Sequence, residues 1–161
     1  MVGMPGSTNP PEERILAVDY GSRRIGLALG STRDRVAVTL ATVRLEGKGT
    51  VEEAVGKVAA LARGEDVTRL LIGLPLNMDG SVGPAARRAR AFGERLARTT
   101  GLPAAFLDER LTSEAARDLA RMSSGGKRIK KPIDDLAAVV LLQGWFDDEA
   151  ARDARKRWES S

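Results

Sequence analysis

The sequence predicts a mixed α/β fold, with three antiparallel strands followed by parallel strands joined through helices. Three observations predict it. Ile15–Val18, Leu70–Ile72 and Ala104–Leu107 are short, continuous apolar runs of the kind that form strands buried on both faces. Gly21-Ser22 separates the first run from a second, Ile25–Leu29, at hairpin spacing. Helical periodicity fills the intervals between the later runs, which is the pattern of right-handed crossovers.

The elements follow in order. The polar stretch MVGMPGSTNPPEE, residues 1–13, is expected to be a disordered tail. The first strand ends at Asp19, and Ile25 to Leu29 pairs back on it. Val36 to Leu45, rich in Val, Thr and Leu, makes a third strand that Gly47-Lys48-Gly49 breaks. Thr50 and Glu53 form a capping box, and Val51, Val55, Val58 and Ala62 then share one helical face up to Gly64. The strand Leu70–Ile72 runs into the loop Gly73–Ser81. Pro84 opens a helix with Ala85, Ala89, Phe92 and Leu96 as its buried stripe, stopped by Gly101-Leu102-Pro103. After Ala104–Leu107, Thr112 caps a helix to about Met122. A loop, Ser123–Lys131, precedes a last helix from Pro132 to about Asp148. The order is βββαβαβαα. Residues 14–148 are expected to form one domain, with 149–161 as a charged C-terminal tail that extends the last helix in frayed form.

Absences narrow the chemistry. The 161 residues contain neither Cys nor His. Disulfides, thiolate zinc sites, Cys nucleophiles and imidazole bases are therefore excluded. Catalysis would fall to carboxylates, Lys, Arg, hydroxyls or a bound metal. Three Phe, two Trp and one Tyr argue against a nucleic-acid surface built on stacking platforms. The first residues lack the apolar core of a signal peptide, and no apolar run approaches a membrane span, so a cytoplasmic protein is expected.

The net charge of +4 is unevenly placed. Residues 1–79 balance at zero. Residues 80–100 carry Arg87, Arg88, Arg90, Arg95 and Arg98 against Glu94 alone, and residues 123–131 carry Lys127, Arg128, Lys130 and Lys131 with no acid. Two basic patches on a neutral body point to a polyanionic partner, against the plainer reading of solvated faces.

Three acids are candidates for chemistry. Asp19 and Glu109 close buried strands, where strand ends border a cleft. Asp134 shares a helical face with Ala138, Leu141 and Trp145, so an ionised carboxylate there requires a partner. If the three converge, mutual repulsion raises their pKa values and a divalent cation relieves it. Each also has a plain structural reading. Asp19 could cap the turn at Gly21, Glu109 could pair with Arg110 or Arg24, and Asp134 could answer the helix dipole.

Four blocks carry a family resemblance. They are Ile15-Leu-Ala-Val-Asp19-Tyr-Gly21-Ser-Arg-Arg24-Ile-Gly26-Leu-Ala28, Gly73-Leu-Pro75-Leu-Asn77-Met-Asp79-Gly80-Ser81, Asp108-Glu109-Arg110-Leu-Thr112-Ser113 and Lys131-Pro-Ile-Asp134-Asp-Leu-Ala137-Ala138-Val-Val-Leu-Leu-Gln143. In this order and spacing, over residues 14–147, the chain resembles the YqgF family, also called RuvX. The resemblance implies an RNase H-like five-stranded sheet of order 3-2-1-4-5 with helices on both faces. It implies a catalytic, metal-holding triad of Asp19, Glu109 and Asp134, and chooses Asp134 over Asp135 as the residue before x-x-Ala-Ala. One or two Mg²⁺ or Mn²⁺ ions are the implied cofactors.

The implied activity is hydrolysis of phosphodiester bonds in structured nucleic acid. The expected role is 5′-end processing of pre-16S rRNA in ribosome biogenesis. Resolution of Holliday junctions in branched DNA is the alternative, and a non-catalytic RNA-binding assembly factor the second. A junction resolvase would be a homodimer, since it cuts two strands in mirrored positions. Arg23, Arg24, Lys127, Arg128, Lys130 and Lys131 are the expected phosphate contacts. Asp79 and Asp108 are left outside the catalytic set. A strand followed by Asp-x-Gly also opens actin-like ATPases, but those need two such domains and 161 residues supply one.

Overall fold

A computed structural model describes residues 10–45, 50–109 and 136–159, without the side chains of 151–159. Its elements are β1 (Arg14–Tyr20), β2 (Arg24–Ser31), β3 (Val38–Arg44), α1 (Val51–Gly64), β4 (Arg69–Leu74), α2 (Pro84–Thr100), β5 (Ala104–Asp108) and α3 (Ala137–Glu159). The helix expected over Thr112–Met122 and the basic loop Ser123–Lys131 lie outside the described residues.

The five strands form one sheet of order β3-β2-β1-β4-β5. β1 pairs antiparallel with β2 (Ala17 opposite Ala28) and parallel with β4 (Ala17 beside Leu71). β4 in turn pairs parallel with β5 (Ile72 beside Phe106). The central strand is thus the first in sequence. Its neighbours' apolar runs are continuous because helices cover both faces.

Side chains alternate across the sheet and divide the core in two. Leu16, Val18, Leu70 and Ile72 face α1 and α2, where Val55, Val58, Phe92 and Leu96 meet them. Ile15, Ala17 and Leu71 face α3, where Ala138, Leu141, Leu142 and Phe146 meet them. The amphipathic stripes are each rotated slightly from the sequence expectation. In α1, Ala54 and Ala59 are buried while Val51 is exposed. In α2, Ala86 replaces Ala85 on the buried side. Alanine suits either face, so composition alone does not fix the rotation.

Both expected tails carry structure. α3 continues through Glu159, so the charged tail extends the last helix as expected. The residues EAARDARKRWE contain no Gly or Pro and are mostly strong helix formers, so nothing stops the helix. Glu12 and Glu13, at the end of the expected tail, are tied to the sheet. Ser31 Oγ donates to Glu12 (2.8 Å), the Glu13 amide donates to Thr32 Oγ1 (2.9 Å), and Arg69 bridges to Glu13 (3.1 Å).

Gln143 anchors α3 across the β2–β3 connection. Its Oε1 accepts from the Ala37 amide (3.0 Å) and its Nε2 donates to the Arg35 carbonyl (3.1 Å). Arg35 has φ of 55°, a left-handed conformation unusual for a side-chain-bearing residue. The two Gln143 bonds hold that connection in place.

Candidate active site

The C-terminal ends of β1, β4 and β5 lie side by side, and the site forms there. Asp19 follows Ile15 and Ala17 in alternation, Gly73 follows Leu71, and Glu109 follows Ala105 and Leu107. All three therefore belong to the face covered by α3.

Asp19 and Glu109 meet. The protonated Glu109 carboxyl donates a hydrogen bond to Asp19, and its pKa is pushed up from 4.5 to about 8. Burial is the largest cause. The hydrogen bond to Asp19, the Asp19 charge and the Asp108 charge add to it in that order. Asp108 is the last residue of β5, and its charge raises the Glu109 pKa. Two carboxyl groups sharing one proton at a buried strand end form a negative, oxygen-only cluster.

Gly73 makes room for this pair. A Cβ at position 73 would lie 2.6 Å from Glu109 Oε1 and 3.1 Å from Leu141 Cδ2. Any side chain here would push the Glu109 carboxyl from this position, and glycine leaves it room. In the sequence Gly73 opens the Gly73–Ser81 block, and nothing in that block alone assigns it this role. A glycine directly after a buried apolar run was the available signal.

The plain reading of Asp19 as a turn cap does not describe this turn. The Gly21 amide donates to the Arg24 carbonyl (2.9 Å), closing the β1–β2 hairpin through its own backbone. Glu109 meets Asp19, an acid, and Arg110 lies outside the described residues. Arg23 is exposed on that hairpin and Arg24 is half-buried at the start of β2, both at the acid pair's end of the sheet. Asp134, Lys127, Arg128, Lys130 and Lys131 lie outside the described residues.

The loop after β4 closes on itself. The Asn77 amide donates to the Ser81 carbonyl (3.0 Å), and Gly80, with φ of 87°, donates to the Asn77 carbonyl (2.8 Å). Asp79 Oδ1 accepts from the Ser81 amide (2.9 Å) and hydroxyl (2.6 Å). Those bonds give Asp79 a loop-building role.

A five-stranded mixed sheet of this order with helices on both faces is an RNase H-like fold. The chain belongs to the RuvX family: the family model, described as "Holliday junction resolvase", matches residues 13–148. A protein of Anaeromyxobacter sp. (strain Fw109-5) is 45% identical over 139 residues, covering 86% of this chain and 99% of its own length. One of Acidiphilium cryptum (strain JF-5) is 40% identical over 147 residues, covering 88% of each. Both are named "Putative pre-16S rRNA nuclease". Among solved structures, RuvC of T. thermophilus in complex with a Holliday junction substrate superposes with a TM-score of 0.60 at 14% identity. That match covers 86% of this chain and 96% of the other, and it bears out the expected fold.

Proposed function

We propose that this protein is a metal-dependent nuclease that hydrolyses phosphodiester bonds in structured RNA, acting at the 5′ end of pre-16S rRNA in the cytoplasm. The Asp19–Glu109 carboxyl pair carries this reading. Two acids held in contact, one of them forced to keep a proton, are poorly explained as structure. They suit a hard divalent cation, which takes oxygen ligands and tolerates partial hydration. In this reading Asp19 and Glu109 are catalytic ligands of one or two Mg²⁺ or Mn²⁺ ions.

Asp134 is the third ligand in this proposal. The described part of α3 begins three residues after it, and Leu141 of that helix lies against Gly73, which also flanks Glu109. That proximity in the chain and the block Lys131–Gln143 support the assignment. When bound, a divalent cation there supplies Lewis acidity toward phosphate oxygens. The protein supplies the rest. Asp19 and Glu109 fix the position of the charge, Gly73 keeps the Glu109 carboxyl from being displaced, and α3 excludes water from the buried side.

Arg23, Arg24, Lys127, Arg128, Lys130 and Lys131 hold backbone phosphates in this reading, which gives affinity and orientation rather than sequence readout. The names of the two relatives favour RNA. The description of the family model keeps branched DNA as the competing substrate, for which a two-fold dimer is required. Purified protein is to be offered a structured RNA carrying the 16S 5′ precursor segment and a four-way DNA junction, with Mg²⁺ or Mn²⁺, alongside a measurement of solution mass. Cleavage of the RNA, lost in Asp19→Asn, supports the proposal. Cleavage of the junction alone by a dimer selects the competing substrate, and cleavage of neither rejects a nuclease.

A further inference from the structure

The start of α2 is built against ordinary helix electrostatics. α1 begins conventionally: Thr50 Oγ1 accepts from the Glu53 amide (3.2 Å), and Glu52 and Glu53 occupy the first turn. α2 follows Gly83, which provides no side-chain cap, and its first turn holds no acid. Arg87 and Arg88 come next, both exposed. Among the described residues neither has an acid partner, whereas Arg90 bridges to Glu94 (3.3 Å) and Arg95 to Glu52 (3.0 Å). Two cations near the positive end of a helix dipole are misplaced unless an anion comes to them.

Their position gives that anion an address. The loop from β4 enters α2 at Pro84, so the start of α2 lies at the acid pair's end of the sheet. Two contacts calibrate the level. Phe92 stacks on Tyr20, the last residue of β1 and the neighbour of Asp19, with ring centroids 4.7 Å apart. Gly93 lies against Ile72, whose Cγ1 would be 2.8 Å from a Cβ there. At about 1.5 Å of rise per residue, Arg88 sits roughly 6 Å and Arg87 roughly 7.5 Å beyond the Phe92 level. Both arginines therefore lie beyond the level at which Asp19 ends its strand, on the exposed side of α2 and on the face of the sheet opposite α3. The loop 75–83 lies between, with Met78 96% exposed and Asp79 engaged by Ser81.

We propose that Arg87 and Arg88 grip backbone phosphates of the RNA strand that leaves the acid pair across the 75–83 loop, so that the protein requires a flank beside the scissile bond. This rests on the nuclease reading above. Charge complementarity and continuity with the acid site select a nucleic-acid flank as the occupant. The contact is electrostatic and carries no base readout.

The test uses the full-length protein in EDTA and two fluorescein-labelled RNA hairpins of one stem. One hairpin is blunt and the other carries a single-stranded extension. Anisotropy is recorded over a salt series. The wild type should bind the extended hairpin more tightly. Arg87→Ala with Arg88→Ala should erase that advantage and make the slope of log K against log salt shallower by about 1.4 on the extended RNA. Arg87→Lys with Arg88→Lys should restore most of both. The melting temperature of the alanine variant should be equal to or above that of the wild type, because the removed charges opposed the helix dipole. An unchanged slope, or equal losses on both hairpins, overturns the proposal. Cleavage that is present in the wild type and absent in Asp19→Asn keeps the nuclease reading standing in that case, whereas a wild type that neither binds nor cuts overturns both.

Discussion

Asp19 and Tyr20 are neighbours on one strand and face opposite sides of one sheet. On the Tyr20 side, packing continues to the strand's last residue: the ring stacks on Phe92, over Val18, Ile72 and Leu96. On the Asp19 side the apolar core stops at Ala17. Ile15 and Ala17 meet α3, and then the face ends in Asp19, Gly73 and Glu109. One side maximises burial, while the other leaves two acids in contact and a glycine where a larger residue would fill space. The difference shows where stability was given up, and such sites are where function concentrates.

Substitutions on the two sides should separate activity from stability. The largest effect is expected from Asp19→Asn, which should reduce cleavage by more than about 100-fold, consistent with a lost ligand worth several kcal/mol. Its melting temperature in EDTA should not fall, because the protonated Glu109 carboxyl can donate to the Asn oxygen and the charge that opposes its ionisation is gone. Retention of more than about a tenth of the activity would remove Asp19 from the site. Phe92→Ala, on the other side, should destabilise by about 3–5 kcal/mol in denaturant unfolding. Its specific activity should stay near wild type at temperatures where it is folded.

Gly73→Ala tests the boundary between the two behaviours. Its Cβ would stand 2.6 Å from Glu109 Oε1, so the carboxyl or α3 must shift. A loss of about 1–3 kcal/mol is expected, together with a drop in activity larger than that of an equally destabilised Phe92 variant. Equal activity at equal stability would make Gly73 a packing residue only.

A smaller effect should appear with pH in the metal-free protein. Glu109 keeps its proton in the folded state up to about 8, against an ordinary 4.5. Between those values the folded state binds more protons than the unfolded state, so stability should fall as pH rises through that window and level off above it. Glu109→Gln should flatten the dependence in thermal melts. A wild-type curve that rises with pH over the same range would contradict the protonated pair.

Much of this was legible in the sequence. Apolar runs marked four of the five strands, while the largely exposed β3 was readable from its Val, Thr and Leu content. The positions of Asp19 and Glu109 at strand ends were likewise readable. Their convergence was not, because it depends on β4 lying between β1 and β5, a long-range pairing that no local pattern encodes. The family resemblance supplied that step. Gly73's role required knowing which side chain approaches it from β5. Gln143 was a residue in a quoted block with no assigned task, since its partners at Arg35 and Ala37 lie more than a hundred residues away. The continuation of α3 past Asp148 was legible, because residues 149–159 hold nothing that stops a helix.

The central claim is that Asp19 and Glu109 share a proton that a divalent cation displaces. Calorimetric titration of Mn²⁺ into the metal-free protein near pH 7, in two buffers of different ionisation enthalpy, tests it without reference to catalysis. Binding should release about one proton in the wild type and close to none in Glu109→Gln, with affinity lost in Asp19→Asn. Binding that releases no proton, or that survives Asp19→Asn unchanged, would contradict the account.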